Sequence, residues 1–212
     1  MKILNLFSGI GGNRMLWKDH NVTAVEIHKG VAKYYKEEFP DDEVIIADAY
    51  TFLEDNYTEF DFIWASPPCK THSLLQCKRS KRKYNKVYDY DKVQIPDMRL
   101  YGIIIFLDNL FLGDWVVENV HPYYEPLIKP TAKIGRHYIW SNKYIKSKKS
   151  KPEHYASIKK ICDAKGLDYD KITKHSFGSR KDTILHNCMK PELGKYILEQ
   201  IIKENEIRGL TL

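Results

Sequence analysis

The chain has 212 residues, 43% of them hydrophobic and 29% charged, with a net charge of +6. That length suits one domain with a substantial core, and the composition is too apolar for a disordered chain. No apolar run approaches the ~18 residues that a membrane span needs, no signal-peptide pattern leads into the first apolar stretch, and the cysteines at 69, 77, 162 and 188 form no CxxC pair. A cytoplasmic monomer with no membrane contact, disulfide framework or metal site is therefore expected.

In chain order, residues 3–7 read as a buried strand, 22–27 as a second, 43–47 as a third and 60–65 as a fourth. Residues 29–39 and 50–55 between them have helical character. Residues 98–112 carry Leu100, Ile103, Ile104, Leu107 and Leu110 at helical spacing, and 114–118 follow as a fifth strand. Strands alternating with helices predict an α/β fold with a doubly wound, mostly parallel sheet, which binds ligands beyond the carboxyl ends of its strands. The texture changes over residues 142–178, where Lys146, Lys148, Lys149 and Lys151 group together and a helix is expected over 152–165, closed by Gly166. An amphipathic helix begun by Pro191 is expected over 191–205. The chain thus divides into a core (1–141), a small basic module (142–178) and a C-terminal segment (179–212).

The residues with chemical potential fall after the strands. Gly9, Gly11 and Gly12 follow the first, where the missing Cβ lets backbone N–H groups approach a nucleotide or amino-acid moiety; a tight connection is the plainer reading. Glu26 ends the second strand, placed to accept two hydrogen bonds from a ribose diol, and Asp48 lies past the third; taken singly, such an acid is more often a helix cap or a surface charge. Ser66-Pro67-Pro68-Cys69 follows the fourth. Its prolines rigidify the turn and hold the next side chain in a fixed direction, as covalent catalysis requires of a thiol, with Lys70 and His72 as nearby groups that could activate it. An isolated buried cysteine is more often inert. Glu118 emerges from the apolar fifth strand, where burial is expected to raise its pKa and let it act as a proton donor or a strong hydrogen-bonding partner.

The ordered strings Leu6-Phe7-Ser8-Gly9-Ile10-Gly11-Gly12, Pro67-Pro68-Cys69 and Glu118-Asn119-Val120 resemble the motifs of the C5-cytosine DNA methyltransferases, most closely the short phage-like members. Arg136-His137-Tyr138-Ile139-Trp140-Ser141-Asn142 resembles the later arginine motif, and Asn187-Cys188-Met189-Lys190-Pro191 the final one, whose helix packs beside the first strand. The resemblance implies a Rossmann-like class I methyltransferase fold with a reduced target-recognition module at 142–178. It implies S-adenosyl-L-methionine as cofactor, surrounded by Phe7, Ser8, Gly9, Gly11 and Gly12, with Glu26 on its ribose, Asp48 on its adenine amine, and Ile27, Pro67 and Asn187 in the same pocket. Cys69 would add to C6 of a flipped cytosine while Glu118 bonds N3 and the exocyclic amine; Arg136, the one arginine where the family often has two, would support the thiol and the base carbonyl. The chain departs from the family pattern at Asn5, commonly Asp, at His186, often Gly, and at Lys70-Thr71-His72.

From Lys70 to Lys92 there are eight Lys/Arg against two Asp. Such basicity suits a polyanion, or simply a solvated loop. By resemblance this stretch closes over DNA, with Lys78, Arg79, Lys81, Arg82 and Lys83 on phosphates of a double-stranded partner and Tyr84 or Gln76 filling the place of the extruded base. The expected activity is DNA cytosine-C5 methylation, as in restriction-modification. RNA methylation by the same chemistry, a silent DNA-binding relative, and transfer of another group are the alternatives.

Overall fold

A computed structural model of the chain describes residues 1–73, 94–149, 155–177 and 181–209. The basic residues Lys78, Arg79, Lys81, Arg82 and Lys83, with Gln76, Tyr84 and Lys151, lie outside these. The strands are β1 (Lys2–Leu6), β2 (Asn21–Val25), β3 (Glu43–Ile45), β4 (Phe62–Ala65), β5 (Asp114–Val120), β6 (Ala132–Ile134) and β7 (His137–Ser141). The helices are α1 (Lys29–Glu38), α2 (Ala49–Asn56), α3 (Arg99–Leu110), α4 (Ile158–Lys165), α5 (Tyr169–Lys174), α6 (Lys181–Asn187) and α7 (Pro191–Gly209).

The strand order is β3-β2-β1-β4-β5-β7-β6. The first five strands of that order run parallel, while β7 is antiparallel to both β5 and β6. This is the expected doubly wound, mostly parallel sheet, with order reversing between β1 and β4, where such sheets open a crevice. The β6–β7 hairpin is not among the strands expected from the sequence; residues 137–141 of β7 lie within the arginine motif.

Strand alternation sorts the core onto two faces. Leu4, Leu6, Ile63, Ala65, Trp115 and Val117 pack with Leu53 of α2 and with Leu100, Ile103, Ile104 and Leu107 of α3. Their neighbours Ile3, Phe62, Trp64 and Val116 face the other way, against Ile197, Leu198 and Ile201 of α7. The last helix therefore returns beside β1.

Among the described residues, the helix expected over 152–165 begins later than its pattern suggests. Helix α4 starts only at Ile158, after an N-cap in which the Ser157 side chain accepts from Lys160 N, and it ends at Gly166 in the left-handed conformation (φ 65°). Its Ile161 and Cys162 join Leu167, Ile172, Phe177, Leu185 and Cys188 in a third buried cluster built around Val31 and Tyr34 of α1 and Ile10 of the glycine turn. The Lys165 ammonium, 3% exposed, donates to the carbonyls of Leu185, His186 and Cys188 and so ties α4 to the end of α6. The small helices thus brace α1 and α6 rather than forming a separate core.

Candidate active site

The carboxyl ends of β1, β2, β4 and β5 open into a cavity of about 430 Å³, within the size range of small-molecule sites. Phe7, Ser8, Gly9, Gly12, Glu26, Ile27 and Asp48 line it together with Pro67, Cys69, Glu118, Arg136 and Asn187. Of the predicted catalytic and cofactor residues, Gly11 is the exception. A Cβ built on Gly11 would meet the Phe39 ring at 2.3 Å, so with φ 79° its role is a close packing of the turn against α1. A Cβ on Gly12 would meet the Met189 carbonyl at 2.3 Å, which explains how the final motif lies directly on the first.

Phe7 adopts φ 55°, a left-handed conformation that costs a non-glycine residue about 1–3 kcal/mol and tends to cluster at functional sites. The turn after it is fixed by Glu26, whose carboxylate accepts from Gly9 N at 3.1 Å and from His28 N at 2.8 Å. Asp48 is the N-cap of α2, accepting on Oδ1 from Tyr50 N and Thr51 N, and its residue also lines the cavity. Ser8 Oγ is buried, lines the cavity and has no hydrogen-bond partner among the described residues. An orphaned hydroxyl, an acid held by two amides and an exposed Ile27 side chain, 65% accessible, suit a ligand with a polar tail, a ribose and a flat base. Asn5 is buried and pairs its amide with that of Asn13, at 2.9 Å for the shorter bond; an aspartate here would set a charge against the Asn13 carbonyl oxygen.

At the other end of the cavity, Cys69 follows the two prolines, and its carbonyl accepts from His72 N and Ser73 N to close the turn. The Asn119 amide donates to the Pro67 carbonyl at 3.0 Å and so fastens this turn to β5. The Cys69 thiol donates to Asn187 Oδ1 at 3.8 Å. Burial and the facing Glu118 charge push the thiol up, opposed by the Arg136 guanidinium, so it rests protonated. Activation by Lys70 or His72 is not what the geometry provides. Lys70 is exposed and outside the lining, and His72, 1% exposed, pairs its Nδ1 with the Tyr124 hydroxyl. Arg136 is the cation that favours the thiolate.

Glu118 corrects a second expectation. Burial does push its carboxyl up, but the charge that His137 carries when protonated, the hydrogen bonds from its ring and from the Ser66 hydroxyl, and the Arg136 charge outweigh burial and hold it below the usual carboxylate range. His137 Nδ1 lies 2.5 Å from Glu118 Oε1, and neither side chain is more than 11% exposed. In the β5–β7 register Glu118 faces Ile139 and Val120 faces His137, which puts Glu118 and His137 diagonally on one face. His137 was missed as a site residue because no local pattern marks a histidine whose partner is 19 positions away. Among the described residues no group of three or more His, Cys, Asp or Glu could hold a metal ion. No described helix is long and apolar enough to cross a membrane.

Residues 1–88 match the family C-5 cytosine-specific DNA methylase, which bears out the resemblance carried by the motifs in that stretch. No curated protein matches the chain. Among solved structures, a mutant of Spodoptera frugiperda DNMT2 is 29% identical, with 56% of this chain and 35% of that one covered and a TM-score of 0.37. A protein of an E. coli prophage assigned as a DNA modification methyltransferase is 21% identical, covering 59% of this chain and 33% of that one, with a TM-score of 0.37. An S-adenosylmethionine-dependent methyltransferase from Agrobacterium tumefaciens is 16% identical, covering 58% and 40%, with a TM-score of 0.40. The chain thus spans well under half the length of each of these proteins.

Proposed function

We propose that this chain, whose residues 1–88 match the C-5 cytosine-specific DNA methylase family, transfers a methyl group from S-adenosyl-L-methionine to C5 of cytosine in DNA. One observation carries the reading. A thiol and a buried carboxyl from adjacent parallel strands share a single cavity with a glycine turn and two acids suited to a nucleoside ligand.

The cofactor supplies an electrophilic methyl group. Glu26 holds the ribose diol with lone pairs left after its two backbone bonds, Asp48 meets the adenine amine, Ser8 and Gly9 meet the polar tail, and Phe7, Ile27, Pro67 and Asn187 complete the walls. C5 of cytosine is a poor nucleophile. The Cys69 thiolate forms a bond to C6 and saturates the 5,6 double bond, and the electron pair moves to C5, where it takes the methyl group. Glu118 holds N3 and the exocyclic amine, stabilising charge that develops on the ring, and Arg136 meets the base carbonyl while favouring the thiolate. Loss of the C5 proton then restores the double bond and breaks the C6–S bond. The base must leave the stack, at a cost of a few kcal/mol, and phosphate contacts offset that cost. Lys78, Arg79, Lys81, Arg82 and Lys83 are proposed for those contacts, giving log K a slope of roughly −4 to −5 against log salt if about five phosphates are neutralised. Of the 142–178 module, the lysines at 146, 148 and 149 are proposed to read or hold DNA, since residues 158–177 are engaged with α1.

Incubation with radiolabelled cofactor and either DNA or RNA, followed by nucleoside digestion, tests the substrate. Label in 5-methylcytosine from DNA is the expected result. Label from RNA alone would overturn the DNA assignment, and no label in either would overturn the reaction.

A further inference from the structure

Arg136 Nε lies 3.4 Å from His137 Nε2, and its terminal nitrogen donates to the His186 carbonyl, so the guanidinium is held at both ends. An arginine N–H can only donate. His137 Nε2 must therefore be the acceptor, the ring is neutral, and its single proton sits on Nδ1, which faces Glu118 Oε1. The chain of bonds runs one way, from Arg136 through His137 to Glu118.

We infer that His137 is a positioning residue that decides which oxygen of Glu118 serves the base: Oε1 is committed as an acceptor to the imidazole, so only Oε2 can carry a proton toward the substrate. This rests on the proposed cytosine reading. Cytosine offers an acceptor at N3 beside a donor at its amine, and a carboxyl matches that pair only with a proton on one defined oxygen. Oε1, already accepting from His137, takes a second hydrogen bond from the amine, and Oε2–H meets N3.

The same proton couples the two ends of the site. An ionised Glu118 opposes thiolate formation at Cys69. Transfer of the Cys69 thiol proton to Oε2 as the base arrives removes that charge and leaves the thiolate in the same step with no net change of charge, so the thiolate forms when its target is present. The titratable and charged groups around the pair are Cys69 from the turn after β4 and Arg136 from the β6–β7 turn; Ser66 from the end of β4 adds a neutral hydroxyl. Losing the imidazole donor while burial persists raises the carboxyl's pKa, so Glu118 would keep its proton to higher pH.

Nitrogen-15 NMR of the labelled imidazole in the free wild-type protein reads the tautomer directly, whatever the activity. The expected spectrum near neutral pH has the proton on Nδ1 and a bare Nε2; an imidazolium, or a proton on Nε2, overturns the proposal. The second readout is the pH dependence of kcat. For His137→Leu, kcat falls on the order of tenfold or more and its alkaline limb moves up by about one pH unit, while His137→Asn, whose amide can donate from the Nδ1 position, restores the wild-type profile. A uniform fall in both variants with no movement of the limb would mean a packing role and overturn the proposal. If the wild type methylates neither DNA nor RNA, the cytosine reading fails, and the tautomer spectrum still decides the Arg136–His137–Glu118 chain.

Discussion

The two walls of the cavity are built on opposite principles. On the sheet side, single hydrogen bonds position the site: Asn119 on the Pro67 carbonyl, two amides on Glu26, and the imidazole on Glu118. On the helical side, α4, α5 and α6 are held to α1 by a continuous apolar cluster and the buried Lys165. Hydrogen bonds fix direction, which chemistry needs, and each is worth only about 1 kcal/mol net. Apolar burial is stronger per residue and indifferent to direction, which suffices for a wall. Substitutions on the sheet side should therefore remove activity with little loss of stability, and those on the helical side should lower stability first.

The sharpest contrast is between two cysteines. Cys69→Ala should abolish the covalent complex with 5-fluorocytosine DNA and lower methyl transfer on the order of a thousandfold or more, whereas Cys162→Ala, in the brace, should leave the complex intact on a denaturing gel. Loss of the complex in both would erase the distinction. Next in size, Phe177→Ala empties a fully buried ring site against Tyr34 and should cost about 3–5 kcal/mol in urea unfolding. Cofactor affinity should weaken with it, since α6 supplies Asn187 to the cavity. Gly30→Ala should cost less, about 1–3 kcal/mol, by pushing a methyl group to 2.5 Å from the Ser176 carbonyl and prying the brace from α1; an unchanged unfolding midpoint would show that this contact yields freely.

The smallest effect is on pH. Because Cys69 is raised, its thiolate fraction should still climb about tenfold per pH unit beyond ~8.5, the ordinary thiol value. Alkylation of Cys69, followed by peptide mass spectrometry, should not level off there. The sign for stability is the same as for any acid whose pKa is raised by folding: the contribution is present below the unfolded pKa and is lost as pH rises through the folded one. A plateau near pH 8 would mean that Arg136 outweighs burial and Glu118.

The α/β alternation, the positions of the first five strands to within a few residues, and the placing of Cys69 just past the fourth strand and of Glu118 on the fifth were all legible in the chain, because strand burial has period two and turn residues announce themselves locally. The cavity that collects the motifs follows from that order, since parallel strands bring their carboxyl ends to one side. What only the tertiary structure decided depends on distances through space. It turned Gly11 from the cavity toward Phe39, buried the small helices on α1, set β7 against β5, and gave Glu118 a histidine partner that reversed the pKa shift expected from burial. Burial alone can be inferred from a run of apolar residues; the charges and donors that oppose it come from other strands and appear only when the chain has folded.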